Sequence, residues 1–434
     1  MQHAPNHDAP TRAQWRMVAI LCLVNAIAFI DRTALPLLVQ PIKRDLGISD
    51  TEISLLIGAA FILTYAVGGF FVGMLVDRFS RRRILAGAIG FWGTATVFCG
   101  TASSYAALFL GRCGVGVGES ACGPASMSLI KDAFAPQYRG RAVAIWAMGA
   151  SLGGGCALLF GGAILHLVGE SGAITLPLLG VVKSWQLVLI ACGLASLPVA
   201  LLVFSFPEPA RRAQEPVQGA AVQEPVASAL GQWRLFVPLF LANAATIMLL
   251  TGFSTWIPAL MGRTWKLAAG EIGLVFGLIT LLLSTSSQFG AGFLVDLVRK
   301  RHGVAAVPLL GGLLCAAVAV PAFMIPNAPS VTVAWCLIAV LSLAATSLFT
   351  IGTATVVQLT PSAVVGKVTG VHFAWVGIMG SAVAPTLIAV VAERVFGGTP
   401  AALGQALSSA AALLATIGCL GLLAVSWQLR RAAR

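Results

Sequence analysis

Apolar residues fill the chain in long runs separated by short polar segments. A helix needs about 20 apolar residues to cross a bilayer. Twelve runs qualify, at roughly 17–38, 52–76, 83–103, 105–130, 140–165, 184–206, 235–259, 271–295, 304–325, 330–357, 366–392 and 400–427. One polar stretch is long. Pro207 to Trp233 is rich in Pro, Gln and Ala and predicts a flexible linker with some surface helix. It divides the runs six and six. The expected organisation is therefore an all-α membrane protein, with a six-helix bundle over 1–206, a linker over 207–233 and a second bundle over 234–434.

The two halves repeat each other. Gly73-Met-Leu-Val-Asp77 ends the second run and Gly292-Phe-Leu-Val-Asp296 the eighth, 219 residues later, each followed by a basic cluster. Pro136 with Gly140-Arg141 precedes the fifth run as Pro361 with Gly366-Lys367 precedes the eleventh, offset by 225–226. Matching marks at matching junctions predict two pseudo-symmetric bundles.

Composition supports this. The chain is 58% hydrophobic and 10% charged, with mean hydropathy +0.92; soluble domains carry about 25% charged residues. A cleavable signal peptide is not expected, because the first apolar run already has spanning length. The net charge of +12 points to no nucleic acid, because the cations sit in alternate loops. With both termini cytoplasmic, 19 of the 27 lysines and arginines fall inside and six outside, among them Lys43, Arg44, Arg263 and Arg394. That is the positive-inside pattern, which sets the orientation; a multi-pass protein of the plasma membrane, a bacterial inner membrane, is expected. The nine cysteines lie mostly in apolar segments and show no metal-ligand spacing, so no metal or cofactor is expected.

Within the spans and away from their ends lie Asp31, Arg32, Arg112, Glu119 and His372. Leu110 to Pro124 reads LGRCGVGVGESACGP and holds two of them. Each charge costs roughly 2.5–3.5 kcal/mol at a bilayer centre. Seven residues apart on a helix, Arg112 and Glu119 share a face, while Gly111, Gly114 and Gly118 fall opposite and predict close packing on a neighbouring helix. Gly116 leaves room beside the charged face. Asp31 and Arg112 each lie ~10 Å below the outer ends of their spans, at one level, and Glu119 lies ~20 Å below, near the middle. Two acids and two bases can pair with zero net charge. Salt bridging alone is one reading, but apolar packing would be cheaper, and intramembrane ionisable groups usually mark pathways or proton relays.

The second half offers no buried carboxylate; Asp296 and Glu393 read as loop-junction residues. It carries Asn243, Thr246, Thr251, Trp256, Gln288, Phe373 and Trp375, an uncharged and partly aromatic set for a cavity wall. His372 reads as a structural hydrogen-bond former. Gly149, Gly153, Gly154, Gly155, Gly161 and Gly162 in the fifth span predict close helix packing.

Twelve spans, a central loop and Gly73-x-Leu75-x-Asp77-Arg78-x-x-Arg81-Arg82-Arg83 resemble the major facilitator superfamily over essentially the whole chain. Asp31-Arg32, Gly47-Ile48-Ser49-Asp50, Arg112-x-x-Val115-Gly-Val-Gly-Glu119 and Trp256-x-Pro258 resemble its spinster-like branch. The Asp-Arg pair and the glycine-rich fourth span are also similar to organic-anion transporters of that superfamily.

The resemblance implies a secondary transporter working by alternating access, without ATP; no G-x-x-x-x-G-K-[ST] string is present. A carboxylate whose arginine partner moves with conformation gains or loses a proton as it does. Glu119 is thus the candidate main proton carrier and Asp31 a second, with Arg112 or Arg32 switching them or holding an anionic head. The asymmetry between halves suggests an amphipathic substrate, and the branch implies a lysophospholipid or sphingoid-like lipid. The alternative is a small organic or aromatic anion. The Gly73 to Arg83 stretch resembles a cytoplasmic latch in which Asp77 faces the start of the eleventh helix and the arginines pair with Asp132. The superfamily pattern usually has glycine where this chain has Ser80. An enzyme is not expected, because the five histidines are scattered. A monomer surrounded by membrane lipids is expected.

Overall fold

The computed structural model describes residues 10–169, 172–177, 180–211, 233–360, 365–399 and 401–432. Eleven helices among them are long and apolar enough to cross a membrane. The first three are Arg12–Leu37, Asp50–Val76 and Arg81–Gly100; the fifth and sixth are Arg141–Val168 and Ser184–Ser205. The seventh to twelfth are Trp233–Trp265, Ala269–His302, Ala306–Asn327, Val331–Leu359, Val368–Val395 and Ala402–Arg431.

The fourth span departs from the continuous run over 105–130 that the sequence suggests. It is two helices, Tyr105–Glu119 and Cys122–Ala133. Pro124 explains the break: it has no N–H to offer the Ser120 carbonyl one turn earlier, and its ring crowds that oxygen. The ladder adapts locally. Ser120 Oγ donates to Val117 O at 2.6 Å, and the Ala121 amide shortens its reach to Gly118 O at 3.3 Å. The helix therefore stops directly after Glu119.

Contacts gather into two compact units, one within Met1–Leu35 and Leu63–Gln218, the other within Pro36–Ile62 and Gly219–Arg434. In the first, the third span packs along the sixth and against the fourth. Small residues permit the approach: a Cβ on Gly93 would meet Ser196, and one on Gly100 would meet Ile190. Trp92 and Trp185 are fully buried there. The first and fifth spans are closer still, because a Cβ on Gly149 would strike Cys22 O and one on Gly153 would strike Ala26 O. A two-stranded antiparallel ribbon, β1 (Ala173–Leu176) and β2 (Gly180–Lys183), precedes the sixth span.

In the second unit, the twelfth span packs along the ninth and seventh, and the tenth against the ninth, eighth and seventh. Residues 36–62 belong to this unit by their contacts. Three irregular π-type turns interrupt the helices of this unit, at Thr280–Ser284, Ile378–Val383 and Val391–Val395. Most of the stretch read as a linker, residues 212–232, lies outside the described residues. Its first residues are ordered.

Candidate functional site

The first unit assembles the intramembrane charges. The glycine face of the fourth span lies on the third: Cβ atoms on Gly111, Gly114 and Gly118 would meet Cys99, Ala95 and Trp92. That contact turns Arg112 and Glu119 away from the third span. Arg32 Nε, from the first span, donates to Glu119 Oε2 at 2.6 Å. Its guanidinium carbon lies 4.9 Å from the Phe29 ring centre and 5.0 Å from that of Tyr65. Two ring faces thus help to hold the cation. Glu119 is fully buried, and the Arg32 side chain keeps 27% of its surface exposed. Glu119 Oε1 has no hydrogen-bond partner.

Asp31 has different partners. It is fully buried, and its Oδ2 accepts from Thr96 Oγ1 at 3.2 Å while Oδ1 has no hydrogen-bond partner. Buried Arg112 donates from Nη1 to the Asp31 backbone carbonyl at 3.5 Å. The site is thus two linked acid–base neighbourhoods. Each contains a carboxylate oxygen with nothing bonded to it, which is where a proton or a substrate donor can bind.

A second constellation lies at the start of the third span. Arg81 is 1% exposed. It pairs with Asp132 through Nη1, and Nη2 donates to Pro209 O at 2.6 Å. Its Nε and its own amide reach Glu208 Oε1 at 3.2 and 2.9 Å. Ser80 caps the third span, its Oγ accepting from the Arg83 amide at 3.3 Å and donating to Glu208. Ser80 has φ −61°, so glycine is not needed there, and the hydroxyl is used. Burial opposes the charge on Glu208, but the hydrogen bonds from Ser80 and Arg81 outweigh it and hold the carboxyl below its ordinary range. Arg211 Nη2 ties Val76 O and Phe79 O, each at 2.8 Å. Arg78 and Arg83 are exposed, and Gly73 has open space where a Cβ would go. Residues 361–364 and the side chains of Asp77 and of 365–367, at the start of the eleventh span, lie outside what is described.

In the second unit, Trp256 is fully buried and donates to Pro385 O at 3.0 Å; Trp375 donates to Phe240 O at 3.1 Å. Phe373 is exposed. Buried Asn243 donates to Gly352 O at 3.3 Å. His372 does not bear out the structural hydrogen-bond reading. It is fully buried, neither ring nitrogen has a partner, and it sits against Phe240 and Phe373, each 5.5 Å away. Among the described residues no group of His, Cys, Asp and Glu could hold a metal ion.

The sequence profile of the Major Facilitator Superfamily matches residues 21–385. The chain belongs to the major facilitator superfamily. That is a family of transporters, not of enzymes, and the chain resembles its spinster-like branch. An MFS-type efflux pump of Mycolicibacterium smegmatis is 31% identical over 307 residues, 69% of this chain and 66% of that protein. Protein spinster of Drosophila melanogaster is 24% identical over 332 residues, 74% and 52%. A sphingosine-1-phosphate transporter of Danio rerio is 25% identical over 333 residues, 71% and 63%. The matched part is thus under two thirds of these relatives' lengths. The crystal structure of a bacterial homologue of the human lysosomal transporter Spinster, inward-facing and unoccupied, matches the fold with TM-score 0.82 at 21% identity. The match covers 97% of this chain and 98% of that one.

This superfamily member carries a further charged cluster that sequence reasoning missed, inside the second unit. Arg263 grips Asp50 with two nitrogens, each at 2.6 Å, and Lys43 pairs with the same carboxylate. Glu393, from the eleventh span, accepts from the Asp50 and Thr51 amides at 2.6 and 3.2 Å and from the Thr51 hydroxyl. Ser49 Oγ takes the Glu52 amide at 3.1 Å, and Glu52 Oε2 takes the Ser49 amide at 2.8 Å, a complete capping box. With Ile53 N on Ser49 O, all four first-turn amides of the second span have acceptors. A carboxylate at this positive helix end is favourable. The only sequence signal was the Gly-Ile-Ser-Asp string itself, with Glu three residues after Ser.

Proposed function

We propose that this transporter moves an amphipathic lipid of lysophospholipid or sphingoid-like class by alternating access, coupled to protons. Glu119 is the main proton carrier and Asp31 the second. Arg32 is the switch on Glu119, and Arg112 tunes Asp31 through its backbone. The observation that carries this reading is Glu119 itself: fully buried, one oxygen on Arg32, the other without a partner. A buried carboxylate held by one movable cation changes its proton affinity whenever that cation leaves.

The lipid class is supported by the names of the relatives and by the asymmetry of the chain, with charge in the first and fourth spans and exposed Phe373 in the eleventh. The stretch Gly73 to Arg83 with Asp132 acts as the cytoplasmic gate, Arg81 being its centre. The protein works as a monomer in a bacterial inner membrane with both termini cytoplasmic.

Purified protein in sealed vesicles is tested with a labelled lysophospholipid, a labelled sphingoid base and a panel of organic and aromatic acids, with and without an imposed pH gradient. Gradient-driven movement of the lipids alone supports the proposal. Movement of the acids alone replaces the lipid reading with the anion reading, for which the partly exposed Arg32 is a natural ligand. Lipid movement indifferent to the gradient removes the proton coupling.

A further inference from the structure

A cavity of about 820 Å³ lies on the second unit where the eighth, ninth and twelfth spans end together. That is within the 300–1,000 Å³ range of small-molecule sites. Its floor is aliphatic: Leu309, Leu310 and Leu313 from the ninth span and Leu429 from the twelfth. Its rim carries His302 at the end of the eighth span and Arg430 from the twelfth, both exposed. No acidic side chain lines it among the described residues.

The charges around it have a plain explanation in part. Arg299, Lys300, Arg301 and His302 occupy the last turn of a helix, where cations oppose the negative end of the dipole, and they also serve topology. The same two reasons apply to Arg430 in the last turn of the twelfth span, but neither dictates that it lines the same aliphatic groove as His302. Leu313, beside it, is 60% exposed. Trp427, one turn before Arg431 and 59% exposed, stacks under that guanidinium at 5.3 Å. Exposed tryptophans mark the level of lipid headgroups. The groove thus has an apolar wall at acyl-chain depth and a cationic rim at headgroup depth.

We propose that this groove is a binding site for one anionic diacyl phospholipid of the surrounding membrane, distinct from the transport site. An acyl chain lies along Leu309, Leu310 and Leu313. The phosphate meets Arg430, with the basic last turn of the eighth span behind it. The charge distribution assigns this end to the cytoplasmic leaflet. The occupant is argued from charge complementarity: a zwitterionic lipid would fill the aliphatic floor equally well but would bring a cation to a cationic rim.

The full-length protein, purified in detergent and stripped of lipid, is titrated with dioctanoyl phosphatidylglycerol, dioctanoyl phosphatidylcholine and inorganic phosphate, with bound lipid counted by native mass spectrometry. Phosphatidylglycerol is expected to bind at one tight site and phosphatidylcholine much more weakly. Arg430→Gln is expected to weaken phosphatidylglycerol about fivefold, the contribution of one basic residue near a charged surface. Arg12→Gln, an exposed arginine of the other unit, should leave binding unchanged. Leu313→Trp, which fills the groove from an exposed position, should block the tight site without altering the lipid-free melting temperature. Equal binding of the two lipids overturns the proposal. So do equal effects of the Arg430 and Arg12 substitutions, or displacement of the lipid by inorganic phosphate alone, which would mark a free-anion site.

Discussion

Arg32 Nε meets Glu119 Oε2 at 2.6 Å, and Glu119 Oε1 has no hydrogen-bond partner at all. Removing one partner of a buried ion pair costs about 3–5 kcal/mol when the other stays charged. The two substitutions therefore behave differently. Glu119→Gln keeps the shape and leaves a partly exposed arginine, so folding is retained and a pH gradient no longer drives uptake. Substrate exchange without a gradient persists. Arg32→Gln strands a fully buried acid and lowers thermal stability as well. Wild-type gradient dependence in Glu119→Gln vesicles would falsify the role given to Glu119.

Arg81 is the centre of a cluster that includes Asp132, Glu208, Ser128 and Pro209 O. Lysine offers one point charge where arginine offers a fork. Arg81→Lys is expected to destabilise by about 2 kcal/mol and Arg81→Ala by 3 or more. Exposed Arg83→Ala should stay within about 0.5 kcal/mol. Melting temperatures in one detergent check the order.

Glu208 adds a pH dependence to the same cluster. Its carboxyl is held below the ordinary range by Ser80 and Arg81, against its burial. Its contribution to stability is therefore complete above the unfolded carboxylate value and is lost as pH falls through the lower folded value. Glu208→Gln should therefore lower the melting temperature at neutral pH and flatten the acid limb, the two proteins converging as the pH falls below the folded value. An unaltered acid limb would assign that loss to other carboxylates.

How much of this was readable from the chain depends on distance along it. The glycine face of the fourth span follows a helical period, and the structure places Gly111, Gly114 and Gly118 against the third span accordingly. Pro124 was in plain view, but its effect falls on the carbonyl one turn earlier, so the break after Glu119 was not anticipated. The hairpin before the sixth span hid in an apolar loop. The partners of Asp50 were beyond reach: Arg263 and Glu393 lie 213 and 343 residues away, and their charges look like loop residues until the helix ends meet. Glu208 was masked by the linker-like composition around it.

Glu393 caps the second span from a different helix, which makes the cap measurable. Asp50 and Thr51 amides bonded to Glu393 should exchange slowly with deuterium. Glu393→Ala removes the acceptor for both, and exchange in 50–57 should rise at least tenfold, with Glu393→Gln intermediate. Loss of a single cap typically costs about 1 kcal/mol, roughly a fivefold change, and here two amides and the Thr51 hydroxyl depend on one carboxylate. Ser49→Ala, which removes the local half of the cap, should give the smaller single-cap effect.

His372 offers the reverse case, a polar group whose removal should help. Both ring nitrogens are buried without partners, and Phe240 and Phe373 supply apolar rings on either side. An unsatisfied buried polar group costs about 1–3 kcal/mol, and an apolar replacement of similar shape recovers part of it. His372→Phe and His372→Leu are therefore expected to hold or raise the melting temperature. Transport by the stabilised variants then separates two roles. Retained transport makes His372 a packing residue. Lost transport in a protein that folds as well or better means that the imidazole is used in a conformation other than this one, in which its nitrogens find a partner.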